Sequence, residues 1–95
     1  MIHPSQSLHN AAMHLADLRD WRTAGATEWE AAMSCAGILP SCAILARSAA
    51  SLMLMAGDRA EAVTMARKGL EWVVDDATCE WIADELRDVI AEASK

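Results

Sequence analysis

Apolar positions recur along this chain with the pitch of an α-helix, not with the alternation of a strand. At about 100° per residue, Leu8, Ala11, Ala12, Leu15 and Leu18 fall on one side of a first helix, and Trp29, Ala32, Met33 and Ala36 on one side of a second. A third segment carries Ile44, Leu45, Ala49, Leu52, Met53, Leu54, Met55 and Ala56 around nearly its whole circumference, the mark of a helix surrounded by others. Val63, Ala66, Leu70, Val73 and Val74 supply the inner stripe of a fourth, and Cys79, Ile82, Leu86, Val89 and Ile90 that of a fifth.

Glycine and capping residues set the expected boundaries. Gly25, Gly37 and Gly57 each follow an apolar periodic stretch, where a left-handed residue ends a helix without steric penalty. Thr27-x-x-Glu30 and Asp58-x-x-Glu61 have capping-box spacing, Asp75 or Asp76 can cap the last helix, and Pro40 before Ser41 suits a helix opening. The predicted helices are 5–24, 27–37, 41–56, 58–74 and 77–93, antiparallel because the connections are short.

Composition narrows the function classes. The 95 residues make one domain, 1–95, small enough that burial against a second chain would help its stability, so self-association is expected. With eight Lys and Arg against fourteen Asp and Glu, net −6, there is no surplus to neutralise phosphates, and nucleic-acid binding is not expected. The longest uncharged run, Ala31 to Ala46, contains Gly37 and Pro40, which argues against a membrane span. No basic region followed by an apolar one opens the sequence, so a cytoplasmic address is expected. Cys35, Cys42 and Cys79 have neither disulfide nor zinc spacing and read as small core residues.

The segment 43–76 resembles one tetratricopeptide unit, a helical hairpin of about 34 residues. Gly57-Asp58 stands at that family's turn, Ala50 at its small position, Met53 at its large apolar position, and Ala62, Gly69 and Leu70 match its second helix. Ala46, Ala66 and Val74 depart from the pattern, replacing an aromatic, a Phe or Tyr, and a Pro. Arg47-Ser48-Ala49-Ala50, Ala56-Gly57-Asp58, Gly69-Leu70 and Ile82 through Asp88 are also similar to a stretch of uncharacterised bacterial proteins built from such hairpins. The resemblance implies a fold and no particular activity: a degenerate hairpin at 5–37, a hairpin at 41–74 and a closing helix at 77–93.

Charge is concentrated at the end of the chain. Residues 75–95 hold seven acids and two bases, against seven and six in residues 1–74. Asp76, Glu80, Asp84, Asp88 and Glu92 recur every fourth residue, an acidic stripe on the last helix. Trp81 points roughly 145° away from the apolar stripe, among Asp84, Glu85 and Asp88. Burying a Trp is worth about 4 kcal/mol at roughly 25 cal/mol/Å², so a cover is expected from the first helix, the N-terminal arm or another chain, with partial exposure as the remaining option. Trp72 also points away from its helix's stripe, beside Met65.

These features give an all-α, tetratricopeptide-like domain of about five helices acting as a protein–protein interaction or assembly module, expected as a homodimer. Trp81, Trp72 and Met65 are its candidate apolar contacts and Asp84, Glu85 and Asp88 its charged rim. The alternative is a binder of small anions anchored by Arg47, the one charge between Glu30 and Asp58, with Met-rich walls around the third helix. His9 and His14, five apart, lack the spacing for shared metal ligation, and no phosphate loop or nucleophile elbow occurs, so no metal, cofactor or enzyme activity is expected.

Overall fold

The helical period is realised in the computed structural model, which describes residues 3–95, as five α-helices: α1 (Pro4–Asp17), α2 (Trp21–Ser34), α3 (Ser41–Met55), α4 (Arg59–Val73) and α5 (Glu80–Ala93). A 3-10 turn, Ala77–Cys79, leads into α5, and no strand occurs among the described residues. Among the described residues no helix is long and apolar enough to cross a membrane.

Consecutive helices pack on one another, and α3 also packs on α5. Trp29 of α2 stacks on Trp72 of α4 with ring centroids 6.0 Å apart and planes within 14°. The helices therefore form two rows, α1, α3 and α5 in front and α2 and α4 behind. The Cα extents of 40 × 35 × 16 Å fit two helix layers spaced by the usual 8–10 Å. As its apolar circumference predicted, α3 occupies the middle, with Cys42, Ala43, Ala46, Ala49, Ala50, Leu52 and Met53 buried.

The first boundary differs from expectation. α1 ends at Asp17, not at 24, and Gly25 and the Thr27-x-x-Glu30 pattern lie inside α2. Arg19 takes the left-handed conformation, φ 64°, and closes α1 with two reverse hydrogen bonds, Arg19 N–H to the Ala16 carbonyl at 2.9 Å and Asp20 N–H to the Leu15 carbonyl at 3.0 Å. Leu18, expected inside the first helix, is left in this turn and exposed. The inner face of α2 is rotated accordingly: Ala24, Gly25, Glu28, Ala31 and Ala32 are buried, whereas Met33 and Ala36 are exposed.

The same turn closes α3. Gly57, φ 80°, donates to the Leu54 carbonyl at 3.0 Å, and Asp58 donates to the Met53 carbonyl at 2.9 Å. In each case an Asp, Asp20 or Asp58, stands at the N-cap of the next helix. Aligning these two residues gives an offset of 38, and that offset brings several buried positions together. Ala12 falls on Ala50, Ala24 on Ala62, Ala31 on Gly69 and Cys35 on Val73, all buried. The two hairpins share this turn and these buried positions, whereas α1 buries Ala12 alone and α3, in the middle, buries seven residues.

Small residues let the rows approach. A Cβ on Gly69 would lie 3.0 Å from Leu86 Cδ2 and 3.2 Å from the Ala46 Cβ, and one on Gly25 would lie 3.2 Å from three atoms of the Met53 side chain. Ala46 Cβ cannot move without its helix, whereas a methionine side chain can change rotamer. Gly69→Ala should therefore destabilise by roughly 1–3 kcal/mol despite better helix propensity, and Gly25→Ala should be close to neutral. Urea denaturation of the two variants measures the difference.

Asp58 ties the second hairpin to α2. Its Oδ1 accepts the Glu61 N–H at 3.1 Å and its Oδ2 accepts from Arg22 Nη1 at 2.8 Å, and these contacts, the backbone one foremost, hold the carboxyl below the ordinary Asp range. Such a group stabilises the fold fully above its unfolded value, about 3.9, and its contribution fades as pH falls through the lower folded value. Melting temperature followed down from pH 5 should drop less steeply below about pH 4 in Asp58→Asn than in the parent, from a lower starting point.

Candidate functional site

On the front row, α3 leaves one stripe uncovered: Ser41, Ile44, Ser48, Ser51 and Met55, spaced three and four residues apart and none of them buried. A cleft flanks this stripe on each side. Between α1 and α3, Ser5, Gln6, His9, Ser41, Ile44 and Leu45 enclose about 220 Å³. Between α3 and α5, Arg47, Ser51, Glu85, Asp88 and Val89 enclose about 210 Å³.

The α3/α5 cleft gathers several of the expected site residues. Arg47 lies 3.9 Å from Glu85, too long for a hydrogen bond, and its buried Nε has no hydrogen-bond partner. Glu85 and Asp88 stand one and two helical turns beyond Trp81, so the three share one side of α5. Trp81 is 50% exposed, so neither α1 nor any other described part of the chain covers it fully. Asp84 is drawn sideways to Arg87 at 2.9 Å, and Arg87 also meets Glu80 at 3.5 Å. Asp88 forms no ion pair among the described residues, which leaves Asp88 and Glu85 as the carboxylates beside the indole.

Two expected contact residues lie elsewhere. Met65 is 2% exposed, in the core cluster with Ala62, Ala66 and Ile82, because α4 turns it inward. Trp72 is half-buried against Trp29 in the back row, where it joins the two hairpins. Neither borders the α3/α5 cleft. The three cysteines are buried and unpaired, and burial, followed by the neighbouring Cys42, pushes the Cys35 thiol up from its ordinary value.

The α1/α3 cleft contains a feature that spacing along the sequence did not reveal. Glu28, on α2, is completely buried, and both its carboxylate oxygens lie 2.9 Å from His9 Nδ1. A carboxylate without water is tolerated only with a matching partner, and among the described residues His9 is the one polar side chain bonded to it. The 38-residue offset places Glu28 where the second hairpin has Ala66, and His9 where it has Arg47. A buried acid thus occupies a small-residue slot of the repeat. The signal was present in the sequence, but only an alignment on Asp20 and Asp58 exposes it, and Gly25 suggested a different register.

Comparison with family models, with curated proteins and with solved structures returns no match to this chain.

The Glu28 and His9 side chains should be energetically coupled. His9→Ala leaves the buried carboxylate unpaired and should destabilise by about 3 kcal/mol, the lower part of the usual range because His9 is partly exposed. Glu28→Ala in the same background restores the residue type of the second hairpin and should recover at least half of that loss. A double-mutant cycle by urea denaturation measures the coupling directly.

Proposed function

We propose that this chain is a protein-docking module, tetratricopeptide-like in architecture, whose front row receives a basic segment of a partner along the α3/α5 cleft. The observation that carries this reading is Trp81: a half-exposed indole on the same side of α5 as Glu85 and Asp88, which line the cleft. Indoles at the centre of a contact supply most of its energy, and flanking charges select the partner and speed its encounter. The fitting partner is an amphipathic helix or peptide that places an apolar side chain on Trp81 and Lys or Arg against the two carboxylates. A cytoplasmic setting belongs to the same reading, since the three thiols are unpaired.

A second copy of the chain is the alternative occupant of this face, the homodimer that the small size of the domain suggests. The anion-anchor reading of Arg47 loses support here. The cleft that holds its guanidinium carries two carboxylates, which repel an anion and occupy the cation's field.

Fluorescence anisotropy with a labelled Lys/Leu amphipathic peptide tests the proposal. Binding should weaken several-fold between low and physiological salt, Trp81→Ala should weaken it about tenfold or more, and Asp88→Asn should reduce its salt dependence. Indifference of the peptide to Trp81→Ala refutes the reading. A stable dimer in light scattering that Trp81→Ala dissolves would instead assign the face to a second copy.

A further inference from the structure

We propose that the α1/α3 cleft is a binding site for a small neutral molecule that carries a hydroxyl on an apolar body, an alcohol or a phenol. This site is separate from the α3/α5 cleft and does not depend on the docking reading.

The ring of His9 is held from behind. Its Nδ1 faces Glu28, which is completely buried, so Nε2 is the ring nitrogen left for the cleft that His9 lines. Nε2 makes no hydrogen bond among the described residues, and the one buried side-chain nitrogen or oxygen without a partner there is Arg47 Nε. Nε2 is therefore accessible to an occupant of the cleft. A neutral ring that donates its Nδ1 hydrogen to the carboxylate leaves Nε2 an acceptor, whereas a protonated ring makes it a donor. A hydroxyl matches both states, because it donates one hydrogen and accepts through its lone pairs. A group that only donates or only accepts matches one of them.

The other polar groups of the cleft have the same two-way character. The exposed Ser41 hydroxyl has no hydrogen-bond partner among the described residues and rotates to donate or accept. Gln6 gives one amide hydrogen to Asn10 at 3.0 Å, which leaves its second hydrogen and its carbonyl oxygen. Ser5 is already engaged with His3 Nδ1 at 2.8 Å.

Charge and size then select the ligand. In a chain of net charge −6, no Asp, Glu, Lys or Arg lines this cleft. With Glu28 ionised, the pair behind it carries no net positive charge whether the ring is neutral or protonated, so an anion finds no counter-charge. A cation finds none either, since the Glu28 carboxylate is sealed behind the ring. A neutral molecule incurs neither cost. At roughly 30 Å³ per water, a cleft of about 220 Å³ holds the equivalent of about seven waters, which suits a molecule of similar heavy-atom count. Ile44 and Leu45 give its body an apolar wall.

Phenol, benzene and benzoate titrated into the full chain at neutral pH, followed in ¹H–¹⁵N spectra, test the proposal. Phenol, uncharged at that pH, should move the His9 ring resonances and the Gln6, Ser41, Ile44 and Leu45 amides saturably at about millimolar concentration. Benzene, the same ring without the hydroxyl, and benzoate, the same ring with a charge, should bind at least several-fold more weakly. His9→Phe combined with Glu28→Ala removes both ring nitrogens without stranding the carboxylate, and should weaken phenol about tenfold.

Ser41→Trp, a change at an exposed position that fills the cleft without touching the His9–Glu28 pair, should abolish saturation and keeps the test valid if the double variant unfolds. Non-saturating shifts, saturation that survives Ser41→Trp, shifts confined to the α3/α5 cleft, phenol binding indifferent to loss of the imidazole, or equal binding of benzene or benzoate would each overturn the assignment.

Discussion

The structure depends on how closely α3, α4 and α5 can approach, and Gly69 sets that distance. Its bare Cα faces Ala46 of α3 on one side and Leu86 of α5 on the other, so three helices meet at one residue without a side chain. The alanines around it, Ala43, Ala46, Ala49, Ala50, Ala62 and Ala66, are all completely buried. They contribute little area each, but they let backbones come together so that larger residues such as Ile82, Leu86 and Met53 fill the space between rows. With Phe and Tyr absent, a core built this way substitutes proximity for bulk.

Much of this was legible in the sequence, and the residues that misled did so for a physical reason. Gly57 takes positive φ and closes α3, as its position after an apolar run suggested, whereas α2 already ends at Ser34, short of the expected 37, and Gly37 takes its positive φ in the turn that follows. Gly25 has the same sequence context but sits mid-helix, where its missing side chain admits Met53. Nothing local separates a glycine needed for its φ from one needed for its missing Cβ. The turn expected at Gly25 is made instead by Arg19, and a non-glycine residue in that conformation carries no compositional flag. The central place of α3 is legible because an all-round apolar helix has few alternatives to burial.

The site was less legible because it arises from differences between the two hairpins. Trp81 and its acidic neighbours follow from one helix's angular positions, and the structure leaves the indole half-exposed as one of the expected options. Met65 could not be placed in this way, since a helix packed on both α3 and α5 buries two faces and the apolar stripe identifies only one. Glu28 was hidden by the same limit. On α2 it looks like a surface acid until the 38-residue register shows that its position is a contact slot, filled by Ala66 in the second hairpin.

That register also explains why one face carries two unlike clefts. Equivalent positions on α1 and α3 hold His9 and Arg47, and each faces a carboxylate, but the carboxylates come from different directions. Glu28 reaches His9 from the row behind and is sealed from water, so the cleft between α1 and α3 is lined by neutral polar and apolar side chains around the His9 ring. Glu85 reaches Arg47 from the neighbouring helix of the same row and stays half-exposed with Asp88, so its charge remains on the surface. A charge behind a helix polarises a site, whereas a charge beside it edges one. Two positions 38 residues apart, His9 and Arg47, thus differ in which row supplies the facing acid, and the clefts on the two sides of the α3 stripe differ in surface charge accordingly.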